Sequence, residues 1–457
     1  MNKGNEAQVQ IELEFNNLNI LDKDSNSMNI DQKNCSYCNK PFTEVLWCKE
    51  CDPHRMIEGW TSGNNEIDKF IKDTMYKRKN DKFLEWVPFD KFKDINQIGE
   101  GGFSKVYSAT WIDGPKIYGK GYKRWEKNKS ESNKVALKRL NGSENMSAEY
   151  LNEIKILWEL CRIDDVGLSF YGMTKDPETE ELIIISEYAD EGNLRSVLLH
   201  NFNNILWKDK LMYLFWITRG LDCLHDLGYF HKDFHSGNIL QIYHETYISD
   251  FGLSGPSNKQ KSDDKICGVL PYIAPEVLNG EPYSLSSDIY SFGIIMAELS
   301  SGKPPFHKIK QDNTLALEIC NGLRPEFGKG TPEIYKKLAY KCMNANSNQR
   351  PTAEELDDII EFWYDSIIGI YQEKENFGYK GNEIKAMFEK ADKEIPNIST
   401  SYKKNPDAIY TSRLFTFSNL TKPVNSSIIT DYFNDKENNK DCQDSQVFDL
   451  EICNKEG

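Results

Sequence analysis

Residues 230–240 read FHKDFHSGNIL, and the triplet Asp250-Phe251-Gly252 follows 17 positions after Asp233. Asp233 and Asn238 stand five apart behind a histidine, with an apolar pair closing the segment. Two aspartates and an asparagine on loops suit Mg²⁺, which favours a few oxygen ligands and keeps its waters. Taken singly, each of these residues is commoner as a cap or turn former. Taken together, in one order, they suggest a loop built for phosphoryl transfer.

The segments upstream supply the other parts that such chemistry needs. INQIGEGGFSKVYSATW reads as strand, glycine turn, strand, with glycines at 99, 101 and 102 where a missing Cβ lets backbone approach a nucleotide. KVALKRL reads as a third strand and LIIISEY as a further buried one. Lys138 at the end of VALK gains meaning with a carboxylate nearby. Glu153 on the following helix, AEYLNEIKILWEL, could supply it, with Leu151, Ile154, Leu157 and Trp158 at helical spacing. Downstream, WKDKLMYLFWITRGLDCLHDLG places Leu211, Leu214, Phe215, Leu221 and Leu224 along one face, and SSDIYSFGIIMAELSSG opens on serine caps and closes on Gly302. The expected architecture is α+β, a small strand-rich lobe followed by a larger helical one. GPKIYGKGYKRWEKNKSESN, from Gly114 to Asn133, reads as a polar, basic insertion between two strands.

IGEGGFSKV, VALK, HKDFHSGN, DFG and Ala274-Pro275-Glu276, with SDIYSFG and NQRP beyond them, resemble the eukaryotic protein kinase family. The resemblance covers residues 92–366 and implies a two-lobed kinase fold: N-lobe about 92–186, hinge 187–192, C-lobe 193–366. It also implies ATP and Mg²⁺. Ile98, Gly99, Gly101, Gly102, Phe103, Val106 and Ala136 would lie against the nucleotide, and Glu187 and Ala189 would offer main-chain hydrogen bonds to adenine. Lys138 would hold phosphates while Glu153 fixes it, Asp233 would orient the substrate hydroxyl, and Asn238 and Asp250 would bind Mg²⁺. Ser186 would leave open the pocket behind adenine, and Arg350 would pair with Glu276. YLNEIKIL, NGE and SDIYSFGII lean toward the tyrosine-kinase-like branch, and the chain is similar to a fungal group of such kinases that carry an N-terminal cysteine pair.

Four positions depart from the family pattern. Ser104 replaces the third glycine. Lys232 replaces the arginine before the catalytic aspartate, and lysine cannot form its bidentate fork. That substitution implies less dependence on activation-loop phosphorylation, although Ser254, Ser257 and Ser262 are available there. His235 replaces a lysine that touches the γ-phosphate, either donating one hydrogen bond or merely packing beside the loop. Val269 replaces a threonine that links to the catalytic aspartate. None of these removes a metal ligand or the base. The resulting expectation is transfer of the ATP γ-phosphate to protein Ser or Thr, with Tyr less favoured. The rival is a signalling scaffold on a pseudokinase fold.

Cys35-Ser-Tyr-Cys38 and Cys48-Lys-Glu-Cys51 form two C-x-x-C pairs nine residues apart in segment 34–55. Four thiolates can surround a structural Zn²⁺, with a redox pair as the rival. His54 is read outside the ligand set. The segment would serve protein–protein contact. The other seven of eleven cysteines are scattered, which fits reduced thiols in the cytosol or nucleus. A net charge of -15 argues against nucleic acid or anionic lipid, no stretch is apolar enough to span a membrane, and neither end carries a secretory or lipidation pattern. Residues 1–33 and 367–457 are polar and read as mostly disordered, and residues 56–91 read as a linker with helical character. Within the tail, AIYTSRLFTFSNL is either aromatic-bearing linker or a segment that docks on a lobe or a partner.

Overall fold

The structure, a computed structural model, describes residues 34–434 apart from 36, 43–47, 77–81, 102–103, 116–117, 121–124, 128–130, 144–147, 164–165, 244, 257–265 and 419. The chain divides into two compact units, residues 1–60 with 116–129, and residues 61–115 with 130–457. In the first, Asn34 bridges Pro41 and helix α1 spans Cys51–Met56.

The second unit opens with helix α2, Asn65–Tyr76, which buries Ile67, Ile71 and Met75 on one face. A six-stranded sheet follows. It is built from β1 (Glu85–Trp86), β2 (Phe92–Glu100), β3 (Ser104–Trp111), β6 (Asn133–Leu140), β7 (Phe170–Lys175) and β8 (Leu182–Glu187). Its order is β1-β7-β8-β6-β3-β2, antiparallel except for the parallel pair of β1 and β7. The polar insertion between β3 and β6 carries its own hairpin, β4 (Tyr118–Lys120) and β5 (Trp125–Lys127), which belongs to the first unit. Helix α3, Ala148–Cys161, lies between β6 and β7. Alternation along β6 sends Val135 and Leu137 into an apolar cluster with Val87, Trp111 and Ile185, while Ala136 and Lys138 take the opposite face.

The C-lobe runs through β9 (Gly192–Asn193), α4 (Leu194–Asn201), α5 (Trp207–Asp226), β10 (Tyr229–Phe230), β11 (Ile239–Ile242), β12 (Glu245–Ile248), β13 (Gly255–Pro256) and β14 (Ile266–Gly268). Helices α6 (Pro275–Leu278), α7 (Leu285–Ser301), α8 (Asn313–Cys320), α9 (Glu333–Cys342) and α10 (Ala353–Ile368) follow. In α5 the expected leucines are buried, but Phe215 is only half-buried, stacked on Tyr364, and Ile217 takes the inner place. Gly302 ends α7 in the left-handed conformation (φ +68°), and a Cβ there would stand 2.6 Å from the Phe202 ring, so glycine is required twice over.

Two boundary expectations are corrected. The linker reading of residues 56–91 fails at Asn65–Tyr76, which form α2, and at 85–87, where β1 completes the sheet and Val87 joins its core. A parallel edge strand is paired across a long crossover, so no local turn announces it. The reading of residues 367–457 as mostly disordered fails over 369–434, while 435–457, like 1–33, lie outside the described residues. A hairpin, β15 (Glu375–Asn376) with β16 (Tyr379–Lys380), leads into α11, Gly381–Asp392. That helix buries Ile384, Phe388 and Ala391, spaced for one helical face. Phe388 lies 5.4 Å from the Trp207 ring and 5.8 Å from Trp363, and Asp392 accepts the Trp207 N–H at 2.7 Å. Strand β17 (Arg413–Phe415) and helix α12 (Ser427–Asn434) complete the chain's described part.

Candidate active site

Hairpin β11–β12 pairs Ile239 with Ile248, and this register carries the residues just outside it into contact. Ser249 donates its N–H (2.8 Å) and its hydroxyl (2.9 Å) to the Asn238 carbonyl, so Asp250 stands beside Asn238. The Asn238 amide nitrogen donates to the Asp233 carbonyl at 3.0 Å, leaving Oδ1 as the atom it can offer a cation. Asp288, buried in the first turn of α7, accepts the N–H groups of His231 (2.7 Å) and Lys232 (3.1 Å). Those bonds hold Lys232 at φ +71°, and Asp250 stands at φ +65°. Such left-handed residues cost of order 1–3 kcal/mol each and persist where the surroundings over-determine them. His231 Nε2 faces the Ser249 carbonyl at 3.0 Å while Nδ1 accepts the Asp233 N–H, so burial, which pushes its pKa down, leaves a neutral ring.

Lys138 faces the cleft from β6. Its ammonium donates to Glu153 of α3 and, at 2.7 Å, to Asp250 Oδ1. Burial alone would lower the Lys138 pKa, but the charges of Asp250 and Glu153 reverse that and hold it raised. For Asp250, half-exposed, partial desolvation is likewise overcome by Lys138, and its carboxyl stays below its ordinary value. Asp233 is buried, yet His235 and the hydrogen bond from Ser412 hold its carboxyl low. Both aspartates are therefore ionised at neutral pH.

One cavity of about 550 Å³ gathers the residues singled out from the sequence. Ile98, Gly99, Gly101, Val106 and Ala136 line it from the sheet, and Lys138 and Glu153 stand at its inner wall. Glu187 and Ala189 line it from the hinge, and Asp233, Asn238 and Asp250 from the C-lobe. Gly102 and Phe103 lie outside the described residues, as do Ser257 and Ser262. Ser186, Leu157 and Phe170 line the same cavity. Arg350 and Glu276 form a bidentate pair at 2.7 Å in both arms.

The departures have structural roles. Lys232 holds its ammonium 5.2 Å from the Tyr283 ring centre. Val269 is buried. Ser254 donates its hydroxyl to the His231 carbonyl. His235 accepts the Gly237 N–H on Nδ1 at 3.0 Å, which places its hydrogen on Nε2, 3.5 Å from Asp233 Oδ1. It lines the cavity rather than merely packing beside the loop. Sequence reasoning missed Arg195, which donates to Ser236 and to the Tyr410 carbonyl, and missed Ser412, whose hydroxyl donates to Asp233 Oδ2. The aromatic stretch around residue 410 was the available signal.

In the first unit, taken by itself, the Sγ atoms of Cys35, Cys38, Cys48 and Cys51 all lie within 4.8 Å of one another. Cys38 and Cys48 Sγ are 3.6 Å apart, close to the roughly 3.8 Å edge of a tetrahedron with Zn–S bonds of about 2.3 Å. The Tyr37 N–H points at the Cys35 sulfur, and Asp52 receives the Cys48 N–H at 2.7 Å, fixing the second knuckle. His54 is not in the group. The donor set and spacing fit a four-thiolate metal.

The family described as protein tyrosine and serine/threonine kinase matches residues 92–360. A serine/threonine-protein kinase/receptor of Acanthamoeba polyphaga mimivirus is 31% identical over 289 residues, 61% of this chain and 16% of that protein. The serine/threonine-protein kinase drkB of Dictyostelium discoideum is 29% identical over 299 residues, 62% of this chain and 40% of its own length. From the same organism, serine/threonine-protein kinase pats1 is 31% identical over 293 residues, 60% of this chain and 8% of the relative. The chain thus spans well under two thirds of these relatives. Among the described residues no helix is long and apolar enough to cross a membrane.

Proposed function

The chain belongs to the protein tyrosine and serine/threonine kinase family, and from that premise we propose that it transfers the γ-phosphate of ATP to Ser or Thr hydroxyls of proteins. The observation that carries this is the Lys138 ammonium shared between Glu153 and Asp250, with Asp233 and Asn238 lining the same cavity. Lys138, held by Glu153, binds the nucleotide's phosphates. Glu187 and Ala189 offer main-chain groups to adenine, and Ile98, Gly99, Gly101, Val106 and Ala136 enclose it. Asp233, ionised, accepts the hydrogen of the acceptor hydroxyl and aligns its oxygen. Asn238 and Asp250 would hold Mg²⁺, which when bound offsets charge on the phosphates. His235 directs Nε2–H toward the position of the acceptor. The relatives, each named a serine/threonine-protein kinase, favour Ser and Thr over Tyr.

The tyrosine-kinase-like placement, and the likeness to a fungal group with the same cysteine pairs, belongs to this proposal and rests on YLNEIKIL, SDIYSFGII and the two C-x-x-C pairs. So do action inside the cell, activity with little need of activation-loop phosphate, and a zinc-bound cysteine segment for protein contact. The test is labelling of a generic protein substrate by the full chain with Mg-ATP, read by phosphoamino-acid analysis. Phosphoserine and phosphothreonine are expected, and Asp250→Asn should be silent. A folded wild type that matches Asp250→Asn would hand the chain to the scaffold reading.

A further inference from the structure

The chain beyond α11 returns across the face of the C-lobe, and its middle enters the active-site cleft. Asn405 donates its N–H to the His307 carbonyl at 2.9 Å, and the Tyr410 hydroxyl donates to the Pro305 carbonyl at 2.8 Å. Arg195 grips the Tyr410 carbonyl at 2.8 Å and lies 5.0 Å from its ring centre. Then β17 pairs antiparallel with β14, Arg413 opposite Gly268 and Phe415 opposite Ile266. The Arg413 guanidinium donates to the Gln311 carbonyl at 2.7 Å. Beyond the cleft the chain is tied down again, Val424 N–H to the Cys320 carbonyl at 2.9 Å and Asn425 to Ala345 and Asn344.

Between these anchors Ser412 donates its hydroxyl hydrogen to Asp233 Oδ2, and its oxygen lies 3.5 Å from His235 Nε2. An extended peptide added to a strand edge, with one hydroxyl delivered to the base of the site, is how a protein substrate would have to be presented. A blocking segment needs no hydroxyl there; this one has it, half-buried and bonded to the residue that orients acceptors. A tyrosine on the same backbone path would carry its hydroxyl past the carboxylate by the length of its ring, so the groove's depth suits a short side chain.

Resting on the kinase reading above, we propose that Ser412 is the acceptor of an intramolecular phosphoryl transfer, with residues 410–415 seated in the protein-substrate groove. Ser412 Oγ bonds to the γ-phosphorus of ATP as the bond from that phosphorus to its β,γ-bridging oxygen breaks. ADP leaves with the electron pair, and the hydroxyl proton passes to Asp233. Once Asp233 has released that proton to water, the bulky, dianionic phosphoserine faces the side chains of Asp233 and Asp250, and repulsion drives the strand out and opens the groove. Before that step the segment excludes other peptides.

The experiment uses the full chain with Mg-ATP and a generic protein substrate in the same tube, phosphosites being located by mass spectrometry over about a hundred-fold dilution of the chain. The expected result is phosphate on Ser412, with a first-order rate constant that dilution leaves unchanged, and faster labelling of the added substrate once Ser412 is modified. Ser412→Ala should lose the tail phosphate and the acceleration. Asp250→Asn should label neither site. If the added substrate is labelled while Ser412 is not, the proposal falls and the kinase reading stands. If the rate of Ser412 labelling per chain scales with chain concentration, the transfer is between molecules and the proposal falls. If the folded chain labels neither, the proposal falls together with the kinase reading.

Discussion

Lys138 Nζ lies 2.7 Å from Asp250 Oδ1, across 112 positions of sequence, and the same ammonium is bonded to Glu153. One cation thus joins the sheet, helix α3 and the loop that carries Asp250. Lys138→Met should lower kcat by about a hundred-fold or more, the scale on which removing one preorganised charge from a transition state acts. Steady-state kinetics together with a circular dichroism spectrum check that activity, not folding, is lost.

Arg350 is fully buried against Glu276 and also donates to the carbonyls of Ser286 and Asn344, each at 2.8 Å. Removing one member of a buried pair strands the other, at about 3–5 kcal/mol. Arg350→Met should therefore shift the denaturant midpoint strongly. Adding Glu276→Leu should restore only part of the loss, because the two carbonyls still lack a donor.

Lys210 is buried in α5, its ammonium 4.1 Å from the Phe202 ring centre and 4.7 Å from Trp207. Burial pushes its pKa down to about 7, against the opposing pull of Asp392 and Asp209. Between that value and its ordinary pKa of about 10.4 the unfolded chain binds a proton that the folded chain lacks, so this residue makes stability rise with pH over that window and is most costly at and below neutrality. Lys210→Met should flatten that slope and stabilise the fold at pH 7 by about 1–3 kcal/mol. Urea titrations at several pH values read both effects.

The purified chain should carry about one zinc, the stoichiometry of a four-cysteine structural site. Elemental analysis should show its loss in Cys38→Ser. In the wild type a strong chelator should raise amide exchange within residues 34–60, because a segment of this size has no core of its own to fall back on. Metal absent from wild type would favour the redox reading of the cysteine pairs.

Ser186 lines the same cavity as Leu157 and Phe170, and Phe170 is its register partner. Ser186→Phe should fill the space beside them. Adenine-site ligands with a bulky group reaching behind residue 186 should lose about tenfold or more in affinity, a change of at least about 1.4 kcal/mol. Calorimetry with such a ligand beside ATP checks it.

Much of the site was legible because its residues sit at fixed offsets within short segments. Asp233 to Asn238 is one loop, Asp250 follows one hairpin later, and Lys138 alternates with Val135 and Leu137 along one strand. The buried contacts of α11 were present as Ile384, Phe388 and Ala391 at helical spacing, but surrounding Lys, Glu and Asn masked them in a polar tail. Strand β1 gave no such cue, since its partner β7 lies far along the chain and pairs in parallel.

What the sequence determined by itself was the inventory and the order: which groups could bind phosphate, metal and hydroxyl, and which alternations would make strands and helices. Tertiary structure alone decided who occupies the cleft. AIYTSRLFTFSNL left linker and docking segment equally open, and β17 exists only because the unpaired edge of β14 accepts it. That pairing satisfies backbone donors and acceptors between segments about 150 residues apart, an interaction that no local period in the chain encodes.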